Sequence, residues 1–418
     1  MPHQSGLCVA LDRQRLDATV MKWSRLVPEL PGLLADRPHL MAGVALGVTS
    51  ETFKQIAALV RAIEQVAEQP AWQKMALAEV SPLAQHPYAP RGVFMGYDFH
   101  LTERGPQLIE INTNAGGAFI NALLVAALEP DRPPPLPEMA GSPFIERVAA
   151  IFRAEWQLAR GTAPLSSLAL IDDNPASQYL YPEFLLFRAM LAQAGWRVVV
   201  ADAHQLTWRN GVLWATDLSE PTKNLPVDLV YNRLTDFALS DPAHTALAKA
   251  LANDGAVVTP HPRVHALLAD KRRLVALSDE RTLLALGVDD QTRAMLLAHV
   301  PATIPVTDEN AAALWSDRRA FFFKPVAGYG SKATYRGDKL TRRVWETVIR
   351  PGHYVAQAYA APALRWVPQG EGAHRPLKFD LRAYAYAGEV LLFAARLYEG
   401  QTTNFRTAGG GFAPLFAV

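Results

Sequence analysis

The sequence predicts a multidomain protein of mixed class, in which an open α/β unit and α+β units follow a helical start. Two patterns carry that prediction. Over residues 165–262 short apolar runs alternate with helical stretches, and from 263 onward strand pairs separated by glycine-containing loops take over. A length of 418 residues, 50% hydrophobic and 19% charged, suits several cores, because single cores stop growing at a few hundred residues.

The first region, 1–85, is expected to be helical. Its clearest element is "TSETFKQIAALVRAIEQVAEQ", where Thr49 or Ser50 can cap a helix and Phe53, Ile56, Ala57, Val60, Ile63 and Val66 form an apolar stripe at helical spacing. That stripe reads as packing, either as a cap over the rest or as a contact in a homodimer. "SPLAQHPYAP" stops the helical pattern, and "RGVFMGYDFHLTERGPQLIEINTNAGG" reads as two strands around "ERGP". With the apolar helix "AFINALLVAAL" these strands make a second region, 86–130, expected to pack with the C-terminal unit. The proline-rich "EPDRPPPLPEMAGSP" then separates structural units.

In 165–262 the order is strand "LALI", a helix over 178–194, strand "RVVV", the hairpin "LTWRNGVLW" turning at Asn210-Gly211, strand "VDLVYNR", a helix over 242–253 and strand "AVVTP". Such a unit offers ligand sites in the loops beyond its strand ends. Region 263–345 holds the strand–loop–strand "AFFFKPVAGYGSKATYRG". Region 346–418 holds "HYVAQAYA" and a long hairpin, "DLRAYAYAGEVLLFAARLY", turning at Ala387-Gly388.

A balance of 41 basic and 40 acidic residues, net +1, gives no broad charged footprint for nucleic acid or anionic lipid. No run reaches the roughly 18 to 20 apolar residues of a spanning helix. The start lacks a secretory pattern, and the single cysteine, Cys8, reads as an incidental or buried thiol. These features predict a cytoplasmic protein with small-molecule partners. His261, His265, His353 and His374 show no metal-ligand spacing.

Four groups carry candidate chemistry. Strand alternation sets Glu110 and Asn112 on one face, with Ile109 and Ile111 on the core side, and Asp98 on the neighbouring strand could add a third oxygen. Such a set suits magnesium, which takes oxygen ligands and completes its shell with water and phosphate; a solvated face ending at a turn is the alternative. Lys324 stands before a loop in which Gly328, Gly330 and Ser331 can bring backbone donors to an anion, unless the loop is an ordinary hairpin turn. Arg382 and Arg396 lie on neighbouring strands, where fixed guanidinium forks suit phosphate or carboxylate, or else structural ion pairs. Arg233 follows a strand of the open α/β unit and either binds a substrate carboxylate or braces its loop, and Lys271 in "ADKRR" could reach phosphate from a helix end.

Together these stretches resemble the ATP-grasp ligases. The resemblance implies that Lys324 and the earlier Lys271 contact phosphates, that Gln357 and Tyr359 line an adenine pocket, that Arg382, Arg396 and Asn404 bind phosphate and acyl phosphate, and that Asp98, Glu110 and Asn112 hold Mg2+. In the usual order the Glu-x-Asn strand follows the arginine hairpin, whereas here it lies near the beginning of the chain, ahead of that hairpin. The sequence therefore resembles a circularly permuted ATP-grasp protein, similar to glutathionylspermidine synthetases in order and to eukaryotic-type glutathione synthetases around the metal. It departs from both at Gly96, where they tend to carry arginine, and "KPVAGYG" lacks the acid of the glutathione synthetase loop. The activity implied is ligation of a small carboxylate to an amine, with ATP and Mg2+ as cofactors. Phosphotransfer to a small molecule and nucleotide binding without ligation are the alternatives.

Overall fold

The structure, a computed structural model, describes residues 7–139, 141–326, 333–368 and 373–418. Among the described residues the strands form four sheets. The largest is eight-stranded and draws on both ends of the chain. It runs from Cys8–Ala10 through Val44–Val48, Gly411–Ala417, Glu389–Tyr398, His374–Tyr386 and Met95–Thr102 to Gly105–Asn112, with Ala363–Pro368 also paired to His374–Tyr386. The expectation of a purely helical 1–85 is thus corrected, because Cys8–Ala10 and Val44–Val48 are strands of this sheet. All five residues of Val44–Val48 are buried, as in a strand covered on both faces, and a short apolar run of that kind carries no alternation to mark it.

The Ser50–Glu68 helix forms as its cap and stripe predict. Thr49 accepts a hydrogen bond from the Thr52 amide at 3.3 Å, and Phe53, Ile56, Val60, Ile63 and Val66 are buried. Its stripe packs on the arginine hairpin, where the rings of Phe53 and Phe393 lie 4.9 Å apart. Cys8 is buried, and burial pushes its thiol up to about 11, which fits packing rather than reactivity.

The open α/β unit has four parallel strands in the order Val257–Thr259, Leu229–Asn232, Ser167–Asp172, Arg197–Asp202. The chain order reverses between Leu229–Asn232 and Ser167–Asp172. Asn210 and Gly211 take φ of 52° and 74°, the left-handed pair that closes the expected two-residue hairpin. A third sheet, antiparallel, orders Thr303–Pro305, Tyr354–Ala358, Phe321–Pro325 and Tyr335–Arg336. It faces the Asp98 and Arg382 strands across a cavity. No helix among the described residues is long and apolar enough to cross a membrane.

Candidate active site

Strand register builds the floor of the cavity. Asp98 is the direct partner of Arg382 on one side and of Glu110 on the other, and Asp380 is the direct partner of Arg396. These cross-strand neighbours close into a buried charge cluster. Arg382 donates from Nε and Nη2 to the two oxygens of Asp98 at 2.6 and 2.7 Å. Arg396 reaches Asp98 at 2.9 Å and Asp380 at 2.8 Å, and Thr403 donates to Asp380. Burial alone would raise the Asp98 pKa, yet Arg382 and Arg396 hold its carboxyl well below the usual carboxylate range.

One irregularity shapes the wall. Asp98 pairs with Glu110 and Phe99 pairs with Leu108, so Ile109 is an extra residue, a β-bulge. The bulge turns Ile109 out of the expected alternation: Leu108 and Ile111 are buried in the core, while Ile109 lines the cavity. Its carbonyl accepts a hydrogen bond from Lys324 Nζ across the gap. Lys324 also donates to Gln357 Oε1 at 2.8 Å, leaving the third proton of the ammonium for a ligand. Burial pushes Lys324 down to about 8, with Glu110 opposing the shift and Lys271 adding to it.

The cavity has a volume of about 330 Å³, within the range of small-molecule sites. Asp98, Glu110, Asn112, Lys324, Gln357, Tyr359, Arg382 and Arg396 all line it. Gln357 Nε2 is buried without a hydrogen-bond partner among the described residues, a donor set at the wall of an open space. Lys271 does not line the cavity but sits 3.4 Å from Glu110.

The remaining site residues lie elsewhere. Gly328, Gly330 and Ser331 fall outside the described residues. Asn404 does not line the cavity; its amide donates to the carbonyls of Glu399 and Thr402 and its oxygen accepts from the Arg406 amide, so it shapes the loop that presents Thr402, Thr403 and Phe405. Arg233 is also absent from the cavity. Its guanidinium pairs with the buried Glu183 at 3.2 Å and lies over the Phe184 and Tyr231 rings, because a carboxylate buried that deeply must be paired. Glu183 accepts in turn from the amides of Gly117 and Phe119, at 2.8 and 3.1 Å, fixing the turn that ends the Glu110 strand. Gly117 is required there, with φ of 101° and no room for a Cβ, which would meet Phe412 at 2.2 Å.

For a divalent cation the oxygens are not equivalent. Both oxygens of Asp98 are spent on guanidinium groups and on the Asn112 amide nitrogen, 3.1 Å away. Glu110, partly exposed, and the Asn112 amide oxygen fit a hard cation better than Asp98 does. His100 and Tyr398 were missed in the sequence, although each stands two residues from a recognised neighbour on the same strand face, Asp98 and Arg396. Burial lowers the His100 pKa, opposed by the Ala360 carbonyl, which lies 2.6 Å from Nδ1 and so accepts a proton from that nitrogen.

The four sheets and the helices around them make the described chain a mixed α/β protein. The chain is similar to a glutathione synthetase-like effector from Globodera pallida, apo form, with a TM-score of 0.57 over 90% of each chain and 12% identity, a likeness of fold. A putative gamma-glutamylcysteine synthetase from Methylobacillus flagellatus gives a TM-score of 0.46 and 13% identity over 87% of each chain, too distant to weigh. The chain matches no family model and no curated protein.

Proposed function

We propose that the protein is an ATP-dependent carboxylate–amine ligase of circularly permuted ATP-grasp type. The observation that carries the proposal is convergence. Three stretches far apart in sequence, around Asp98–Asn112, Lys324–Tyr359 and Asp380–Thr403, supply one cavity with a buried ammonium, two guanidinium groups and partly exposed oxygens. Permutation is supported by the strand that carries Asp98 lying beside the strand that carries Arg382, although 284 positions separate the two residues. At Gly96 a Cβ would sit 2.5 Å from the Cβ of Ala115, so the arginine of glutathione synthetases has no place here, which speaks against glutathione itself as product.

In the proposed reaction a substrate carboxylate takes the terminal phosphate of ATP, and an amine then displaces that phosphate to give an amide. Lys324 offsets phosphate charge from a dry wall, and the unpartnered Gln357 Nε2 donates to a ligand acceptor. Arg382 and Arg396 are oriented by Asp98 and Asp380, so their remaining N–H groups meet the transferred group without reorganisation. Glu110 and Asn112 would hold Mg2+, which when bound would neutralise phosphate charge. Loss of a direct ligand in Glu110→Ala should weaken apparent Mg2+ affinity by more than the about 10- to 100-fold typical of an outer-shell partner, measured as Mg2+ dependence of ADP release. Unchanged dependence would remove Glu110 from the metal.

The reaction class is tested by ADP release with ATP and Mg2+ across pooled carboxylic acids and amines, with product masses recorded. Ligation requires both substrates and yields a mass equal to their sum less water. A product heavier by one phosphate group would make the protein a small-molecule kinase, and ATP binding without turnover would make it a nucleotide-binding protein.

A further inference from the structure

Outside the cavity, the C-terminal edge of the parallel sheet gathers a second set of side chains. Asp173 follows the strand Ser167–Asp172, His204 follows Arg197–Asp202, and His244 lies in the connection after Leu229–Asn232. One oxygen of Asp173 and the Nε2 atoms of both histidines converge, with all ligand atoms within 4.8 Å of one another. Asp173 Oδ1 is 2.9 Å from His244 Nε2 and 3.2 Å from His204 Nε2. None of the three lines the cavity described above.

The far side of His244 is fixed. Its Nδ1 lies 2.9 Å from Asp236 Oδ2, and Asp236 accepts from the Asp241 amide at 2.8 Å, so the carboxylate is itself held in place. With its proton at Nδ1, His244 aims the Nε2 lone pair at a carboxylate oxygen, and His204 brings a second nitrogen to the same oxygen. Three electron-pair donors facing one point repel unless positive charge lies between them. Protons would do it, with His244 as an imidazolium between the Asp173 and Asp236 carboxylates and His204 as a neutral Nε2–H donor to the same oxygen. A single divalent ion does it with neutral rings.

We propose that Asp173, His204 and His244 bind a divalent transition-metal ion of the zinc type. Tetrahedral zinc, with bonds of about 2.0–2.1 Å, sets its ligand atoms roughly 3.3 Å apart, near the two separations found here. Two imidazoles and one carboxylate favour such an ion over magnesium, whose preference is for oxygen. The Asp236 carboxylate behind His244 is the outer-shell partner that metal-binding histidines usually have. His244 is buried, whereas His204 and Asp173 are partly exposed, so the fourth position faces solvent and is open to water or a small ligand. The site lies at the loop edge where open α/β sheets place ligands.

The test is calorimetric titration of Zn2+ alone into the full chain, freed of metal by chelator and of any affinity tag, repeated with Co2+ to read tetrahedral coordination from its visible spectrum. One equivalent should bind, with equal Mg2+ failing to compete. His204→Ala, at a half-exposed position the core does not need, should lose that binding, and Asp236→Asn should weaken it about 10- to 100-fold. Absence of saturable one-to-one binding, or binding that survives His204→Ala, would overturn the proposal in favour of protonated histidines.

Discussion

Lys324→Ala is expected to weaken ATP binding by about 10- to 150-fold, the equivalent of one charge-assisted hydrogen bond of about 1.5–3 kcal/mol. Calorimetric titration of ATP against wild type and variant measures it. The side chain is buried with two of its three protons committed to Ile109 and Gln357, so it cannot swing away when a phosphate arrives. Its depressed pKa adds a pH signature. With burial bringing Lys324 from its usual 10.5 to about 8, the free protein loses the ammonium above that pH, and ATP must then bind with uptake of a proton. Affinity should be flat below pH about 8 and fall by up to about tenfold per unit above it. Lys324→Arg should abolish that slope, because a guanidinium stays charged. The linked effect on folding has the opposite sign: the unfolded chain holds this proton more firmly, so stability rises between about 8 and 10.5, and Lys324→Ala removes that rise. Equal ATP affinity in wild type and Lys324→Ala would exclude the lysine from the nucleotide site.

Asp98→Ala is expected to cost about 3–5 kcal/mol of stability, read as a shift in the urea unfolding midpoint at constant slope. Asp98 is 2% exposed and answers two guanidinium groups. Without it, Arg396 keeps Asp380, whereas the buried Arg382 loses the carboxylate it is paired with. A metal ligand at the cavity surface would behave otherwise, losing metal dependence with little change in folding. Glu110→Ala would combine the two effects, because it also removes the carboxylate that lies 3.4 Å from the buried Lys271 ammonium. A wild-type midpoint for Asp98→Ala would mean that the arginines are held by something other than the carboxylates.

The sequence made the site partly legible because strand chemistry is periodic. Glu110 and Asn112, or Arg382 beside Asp380, occupy one strand face by alternation alone, and the Ala387-Gly388 turn brings Arg396 to its neighbour. Register is a different matter. That Asp98 lies opposite Arg382 and is engaged by its guanidinium depends on pairing between strands remote in sequence. The bulge at Ile109 left no local mark, and it is what frees a carbonyl for Lys324. Arg233 looked available because its partner Glu183 sits inside a largely apolar helix, Tyr181–Ala192, whose contacts only packing reveals. The helix Gly141–Arg160 does carry a sequence signal, Phe144, Val148, Phe152 and Trp156 at four-residue spacing, and all four are buried. Val44–Val48 went unseen as a strand for lack of alternation.

Carboxylate activation can be observed without knowing the natural amine. With ATP, Mg2+ and pooled carboxylic acids, hydroxylamine serves as a surrogate nucleophile that captures an acyl phosphate as a hydroxamate. A ligase of the proposed type forms hydroxamate in step with ADP, dependent on one acid of the pool and lost in Lys324→Ala. ADP formed with a phosphorylated product and no hydroxamate, or ATP bound with neither product, would contradict carboxylate activation at this cavity.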